Sequence, residues 1–272
     1  MTIDAPARSR QHDAGEEGSE MAGYVQVRGV RTWYEERGEG EPLVLFHGGM
    51  GDAGDFAANI DALAARFHIL VPERRGHGHT ADVDGPITYE LMAQDMIAFL
   101  EGVVGEPAHL VGHSDGANVA LLVARHRPDL ARRLVSISGN FHHDGLIPGV
   151  IDADEAAEFA VTAYSQVSPD GREHLPVVAG KLARMWAHEP TLTSEDLRGI
   201  TAPTLVMAGD DDAVTLEHTI ALYRGLPNSE LAIVPGTSHL LIMEKPALCN
   251  TIIVDFLTGR VVPILFPIRR KT

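Results

Sequence analysis

Short apolar runs alternate with helix-period segments along most of this chain, and few folds accommodate that rhythm. "PLVLFHGG" (42–49), "HILVPE" (68–73), "AHLVGH" (108–113), "RRLVSISG" (132–139), "TLVMAGD" (204–210) and "ELAIVPG" (230–236) read as strands too apolar to keep a solvent face. Between them "DFAANIDALAARF" (55–67), "TYELMAQDMIAFLEGVVG" (88–105), "GANVALLVARHRP" (116–128) and "LEHTIALYRGL" (216–226) read as helices, and "KPALCNTIIVDFL" (245–257) closes the series. Two short strands, "YVQVRG" and "RTWYEE", precede it. Strands of that kind separated by helices predict an α/β fold: a mostly parallel sheet of about eight strands, flanked by helices on both faces.

The alternation breaks once. Residues 141–198 hold no convincing strand, and "ADEAAEFAVTAYSQV" and "HLPVVAGKLARMWAHE" read as helices separated by "SPDG". The expectation is a small helical lid inserted after the sixth strand, over the C-terminal edge of the sheet, where open α/β folds bind ligands. The chain then divides into an N-terminal tail (1–21), a core (22–140 and 199–259), the lid (141–198) and a C-terminal extension (260–272).

Composition narrows the functional classes. The 272 residues, 44% hydrophobic, suit one large domain with an insertion. A formal net charge of −16 repels phosphate backbones, so a nucleic-acid partner is not expected. No apolar run approaches the ~20 residues that span a bilayer, so no membrane partner is expected either. Cys249 is the single cysteine, which rules out an intramolecular disulfide and fits a reducing, cytoplasmic setting. It falls on the apolar side of its helix and reads as a small buried hydrophobe rather than a nucleophile. The first twenty residues are polar, lack an apolar signal-peptide core and read as a disordered tail. The terminal "VVPILFPI" reads as an extension packed on the surface and is a candidate homo-oligomer contact.

The chemistry concentrates where strand "AHLVGH" meets helix "GANVALLVARH". A sharp turn is needed there, Gly112 and Gly116 remove side chains where the two backbones approach, and Ser114 is left at the apex. G-x-S-x-G also occurs in ordinary tight turns; the strand before it and the helix after it make it a nucleophile elbow. A hydroxyl needs a base to take its proton and a third group to orient that base. "MAGDDDAV" places Asp210, Asp211 and Asp212 just after one strand, and "VPGTSHLL" places His239 just after the next, at the same sheet edge as Ser114. The glycine-rich "LFHGGMGD" follows the first long strand and supplies side-chain-free backbone for an oxyanion donor. The second donor is the N–H of Asp115, the residue after the nucleophile. A phosphate loop is excluded at 47–51, because no lysine follows at the required spacing.

Taken together, "HGG" (47–49), "PERRGHGHT" (72–80), "GHSDG" (112–116), "GDDD" (209–212) and "GTSH" (236–239) resemble the α/β-hydrolase family, in its serine hydrolase branch, over residues 22–259. The resemblance implies that Asp212 is the acid of the triad and that Gly49 is the first oxyanion donor. It implies that the Arg-Gly-x-Gly turn is architectural, here with Glu73 in place of a more usual aspartate, so His77 and His79 are not metal ligands. "FHHDG" (141–145) is read as a polar loop facing the lid, with pocket lining as the second reading; no metal and no cofactor are implied.

The expected activity is therefore hydrolysis of a small carboxylic ester or lactone through an acyl-enzyme, with a small molecule as the partner. Carbon–carbon bond hydrolases, thioesterases, amidases and perhydrolases share the triad and stay open as alternatives, as does a catalytically silent ligand binder. Candidate substrate-binding residues are Trp186 and Met185, as a pocket roof or as the lid's own small core. The Asp115 carboxylate is another candidate: it either interacts with the helix dipole or reaches the pocket to favour cationic substrates. Related hydrolases with "SDG" at the elbow include one acting on amino-acid esters.

Overall fold

The computed structural model describes residues 21–150, 152–259 and 264–266. The strands are β1 (Met21–Val27), β2 (Val30–Arg37), β3 (Glu41–Phe46), β4 (Phe67–Pro72), β5 (Ala108–His113), β6 (Ala131–Ile137), β7 (Thr204–Asp211) and β8 (Ser229–Ser238). They form one sheet in the order β1-β2-β4-β3-β5-β6-β7-β8. β1 and β2 are a hairpin whose two-residue turn, Arg28 and Gly29, has φ of 50° and 85° at its two positions, the handedness that matches strand twist. β2 joins β4 antiparallel, and every pairing from β4 to β8 is parallel. Met21 opens β1, so the expected tail boundary moves by one residue, and the tail itself lies outside the described residues. So does most of the C-terminal extension, of which Leu265 and Phe266 are exposed.

The helices are α1 (Ile60–Ala64), α2 (Tyr89–Phe99), α3 (Asp115–His126), α4 (Ala153–Val167), α5 (Leu175–Trp186), α6 (Ser194–Arg198), α7 (Leu216–Gly225), α8 (Leu241–Glu244) and α9 (Pro246–Leu257). The period of two along each strand divides the core in two. Val44 and Phe46 of β3 join Leu110 and Leu134 under α2 and α3, while Leu43 and Leu45 join Val111 and Val135 under α1 and α9. Among the described residues no helix is long and apolar enough to cross a membrane. Residues 55–67 depart from the expected single helix. A 3-10 turn (Ala53–Phe56) precedes the short α1, because Asp52 caps Gly54 and the Asn59 side chain turns away to the Asn250 side chain and the Ile242 carbonyl.

The segment between β6 and β7 carries α4, α5 and α6. One face of α5, Leu175, Val178, Ala179, Leu182 and Met185, is buried in the same apolar cluster as α2 and α3. Polar ties reinforce it. The Lys181 ammonium meets both Asp82 carboxylate oxygens at 2.8 and 2.7 Å, the His174 ring meets Asp82 at 2.9 Å, and the Tyr89 N–H donates to Glu189 at 3.0 Å. The insertion thus shares its core with the sheet rather than standing apart. Leu182→Ala should cost about 2–5 kcal/mol of global stability, read as a shift of one cooperative urea transition; a separate early transition with the main midpoint unchanged would mean that the insertion folds alone.

Burial also sets a pH dependence. Desolvation pulls the imidazoles of His77, His113 and His218 down to about 3, about 4 and about 4, and that of His47 well below its ordinary value. A histidine depressed in the folded state contributes its full stability above its unfolded value of about 6.5 and loses it as the pH falls towards the folded value. Asp55 and Glu73, pushed up by burial to about 6 and about 7, act in the opposite sense over roughly pH 4 to 7. The histidine shifts outnumber the carboxylate ones, so the urea midpoint should fall steadily from about pH 6.5 to 4.5. A midpoint that rises over that window would show the two carboxylates dominating.

Candidate active site

β5 ends at His113 and α3 begins at Asp115, so the chain must reverse at Ser114 alone. Ser114 adopts φ 53° and ψ −119°, a conformation disfavoured for a residue with a side chain. Its neighbours show why the turn needs glycine. A Cβ on Gly116 would lie 2.0 Å from the Phe46 carbonyl oxygen, and one on Gly112 would lie 2.2 Å from that of Gly116. The Ser114 N–H is anchored to the Ile137 carbonyl at 2.8 Å, which ties the elbow to β6.

The structure brings together the three side chains that the sequence singled out. His239 Nε2 lies 2.9 Å from Ser114 Oγ, and His239 Nδ1 lies 2.7 Å from Asp212 Oδ1. Of the three consecutive aspartates only Asp212 is buried; Asp210 is exposed and accepts the Thr237 N–H at 3.1 Å, and Asp211 is exposed. Asp212 also accepts from Ser138 Oγ at 2.5 Å and from the N–H groups of Gly209 and Val214 at 3.2 and 3.1 Å. Burial pushes its carboxyl up, but the hydrogen bonds from His239 and Ser138 outweigh burial and hold it below the usual range. Gly209, three residues before, is required by packing: a Cβ there would lie 2.3 Å from the Thr237 carbonyl oxygen of β8.

Two positioning groups were missed. His113 Nε2 lies 2.8 Å from the His239 carbonyl oxygen, so the neutral ring donates there and fixes the backbone of the candidate base. Ser138, at φ 52° just after β6, reaches both Asp212 and, at 3.4 Å, the same His239 carbonyl. The available signals were a histidine ending an otherwise apolar strand and a serine at the matching end of the next one.

The glycine loop lies beside the elbow. A Cβ on Gly49 would stand 2.5 Å from Asp115 Oδ2 and 2.8 Å from the Trp186 ring, so only glycine fits. The N–H groups of Gly49 and Asp115 meet no protein acceptor among the described residues.

The structure corrects the Asp115 side chain as a free substrate-binding group. It is 5% exposed, and its carboxylate accepts from the Tyr89 hydroxyl at 2.6 Å and from the Trp186 indole N–H at 3.1 and 2.9 Å. Met185 is not a pocket residue and takes the core role, the other one expected of it. One residue rotates a helix by about 100°, which places Met185 on the buried face of α5 and Trp186 off it. Trp186 alone of the two lines a cleft of about 830 Å³ formed largely by the insertion itself, together with Leu146, Ile147, Ala183 and, from outside the insertion, Thr215. Ser114, Asp212 and His239 are not part of that lining; the cleft meets the elbow at Trp186.

Other titratable groups fall outside the relay. Glu73 is buried and accepts N–H groups from Ala53 and His79, and His77 is buried with its Nδ1 against the Arg75 carbonyl, so "PERRGHGHT" holds the loops together. His142, His143 and Asp144 have metal-like spacing but pair with one another, with the two rings stacked at 4.4 Å. Cys249 is buried, with its thiol pushed up to about 11 by desolvation.

Known proteins agree with this architecture. The chain is 27% identical over 257 residues to RutD of Azorhizobium caulinodans, named as a candidate carbamate hydrolase, covering 86% of this chain and 97% of that one. It is 26% identical to a non-heme haloperoxidase of Rhodococcus erythropolis, covering 84% and 96%. Among solved structures, the enol-lactonase of Burkholderia xenovorans LB400 superposes with a TM-score of 0.72 at 23% identity, over 86% of this chain and 99% of that one, a likeness of fold. Residues 43–251 match the alpha/beta hydrolase family, and this chain belongs to that family and is a hydrolase of it.

Proposed function

We propose that the protein is a serine hydrolase that cleaves a small carboxylic ester or lactone through an acyl-enzyme. The observation that carries this reading is the unbroken relay Ser114–His239–Asp212, with contacts of 2.9 and 2.7 Å, ending on a serine in strained backbone. His239 Nε2 takes the Ser114 proton as Oγ attacks the carbonyl carbon, and Asp212 stabilises the imidazolium. The N–H groups of Gly49 and Asp115 hold the oxyanion, worth a hundred- to a thousandfold in rate for each donor in roughly comparable sites. As the tetrahedral intermediate collapses, the carbon–oxygen bond breaks and the leaving alkoxide takes the proton from His239. Water, deprotonated by His239, then attacks the acyl-enzyme and releases the acid and Ser114.

Residues 141–198 act as a lid over this edge, and Trp186 is the wall between the cleft and the nucleophile. The names of a carbamate hydrolase among the relatives and of an enol-lactonase among the structures of like fold support attack at a carbonyl carbon.

A fluorophosphonate should label the wild-type protein and not Ser114→Ala. On p-nitrophenyl acetate, Ser114→Ala and Asp212→Asn should each lower kcat by about 10⁴-fold or more. Asp210→Asn should stay within about threefold of wild type. A Ser114→Ala variant that keeps activity would sink the reading. A wild type that turns over dienol diketones but neither esters nor lactones would replace it with carbon–carbon bond hydrolysis.

A further inference from the structure

Arg74 lies behind the glycine loop with 1% of its surface exposed. A buried guanidinium is costly unless its N–H groups find acceptors and its charge finds an opposite one. Burial pulls its pKa down to about 10 against the opposing pull of Asp115 and Asp55, so the group stays cationic at neutral pH. Its two terminal nitrogens hold successive carbonyls: Nη1 donates to His47 O at 2.7 Å and Nη2 to Gly48 O at 3.0 Å.

The same two peptides have further partners. The Arg74 backbone N–H donates to His47 Nε2 at 3.1 Å, which leaves the ring proton on Nδ1, and Nδ1 donates to Gly48 O at 2.8 Å. Nδ1 and Arg74 Nη2 lie 3.2 Å apart because both converge on that oxygen. Asp55 Oδ2 accepts the Gly48 N–H at 2.8 Å. The His47–Gly48 peptide is therefore gripped at its carbonyl and at its N–H, whereas the Gly48–Gly49 peptide is gripped at its carbonyl alone. The latter bond is trans, and in a trans peptide the N–H points opposite to the carbonyl. The Gly49 N–H consequently points away from Arg74, with no protein acceptor among the described residues.

We infer that Arg74 is a positioning residue for the oxyanion site: by holding the His47 and Gly48 carbonyls it aims the Gly49 N–H at the substrate oxygen. The inference rests on the serine hydrolase reading above and goes beyond it. Orientation is one effect. A carbonyl bonded to a cation polarises its own peptide, so the N–H at the other end becomes a stronger donor. The charge is a further effect. The Asp115 carboxylate abuts Gly49 and opposes a developing oxyanion, and the Arg74 cation offsets it. All three effects grow as negative charge builds on the substrate oxygen, so they lower the barrier more than they tighten ground-state binding.

The test uses the full chain with Arg74→Met and Arg74→Lys, p-nitrophenyl acetate as substrate, and phenylboronic acid as a tetrahedral adduct of Ser114. For Arg74→Met, kcat should fall by about 10²–10³-fold and boronate affinity in parallel, with KM within about threefold. Arg74→Lys keeps the charge but cannot reach both carbonyls as a fork does, and should lie between, at about tenfold. A purely structural role would lower thermal stability without this split. A folded Arg74→Met with kcat within about threefold of wild type, or one that loses kcat while keeping boronate affinity, overturns the inference. Should Arg74→Met fail to fold, Arg74→Lys decides: parallel losses support the inference, and unchanged kcat overturns it. Fluorophosphonate labelling of the wild type separates the two readings. If labelling fails, the serine chemistry falls and this inference with it; labelling with a flat Arg74 series overturns this inference alone.

Discussion

The close approach of the β3, β5 and α3 backbones at the Ser114 turn is the constraint on which the rest depends. Gly116 lies against the Phe46 carbonyl of β3 and Gly112 lies against Gly116, so strand, turn and helix leave no room for a side chain beside the serine. A serine held at φ 53° costs about 1–3 kcal/mol, offset by the buried apolar strands and by α3, most of whose residues are buried. The strain places one side chain above the sheet edge. β7 and β8, paired in parallel two and three positions along the sheet, bring Asp212 and His239 to the same edge. The relay is thus a consequence of strand order, and the hydrogen bonds from His113 to the His239 carbonyl and from Ser138 to Asp212 hold its histidine and its acid in place.

A second layer of buried polar groups sits behind that edge. Arg74, His47, Asp115 and Tyr89 are buried charged or polar groups, and the partly buried Asp55 joins them. Such groups are tolerated only with partners. Here their partners are largely the backbone of the glycine loop and the side chain of Trp186, so satisfying the buried polar groups and fixing the loop are a single task.

Much of this was legible in the sequence because periodicity reports burial. The strand runs and the break at 141–198 fell where the sheet and the helical insertion lie, and the elbow stood out through its paired glycines. The choice among Asp210, Asp211 and Asp212 was not legible from residue type, since the three are chemically alike and differ only in burial; the family resemblance made it. The pocket-facing reading of the Asp115 carboxylate failed because its partners, Tyr89 and Trp186, are 26 and 71 residues away in sequence, and nothing local marks such a contact; the helix-dipole reading needed only its place in the first turn of α3. The broken helix at 55–67 has the same origin, a contact from Asn59 to Asn250 across 191 residues. Met185 and Trp186 were treated as a pair because helix phase is ambiguous until one face is known to be buried.

Asp115 serves two structures with one residue: its backbone belongs to the elbow and its carboxylate holds the indole of the insertion. The two cannot be exchanged independently. An insertion transplanted from a relative would leave a buried carboxylate short of a donor unless it carried an N–H at the place of Trp186, and a new elbow residue would strand the indole and the Tyr89 hydroxyl. For anyone recombining hydrolases of this fold, positions 89, 115 and 186 form one cassette, and a crossover point that separates them divides a single folding unit.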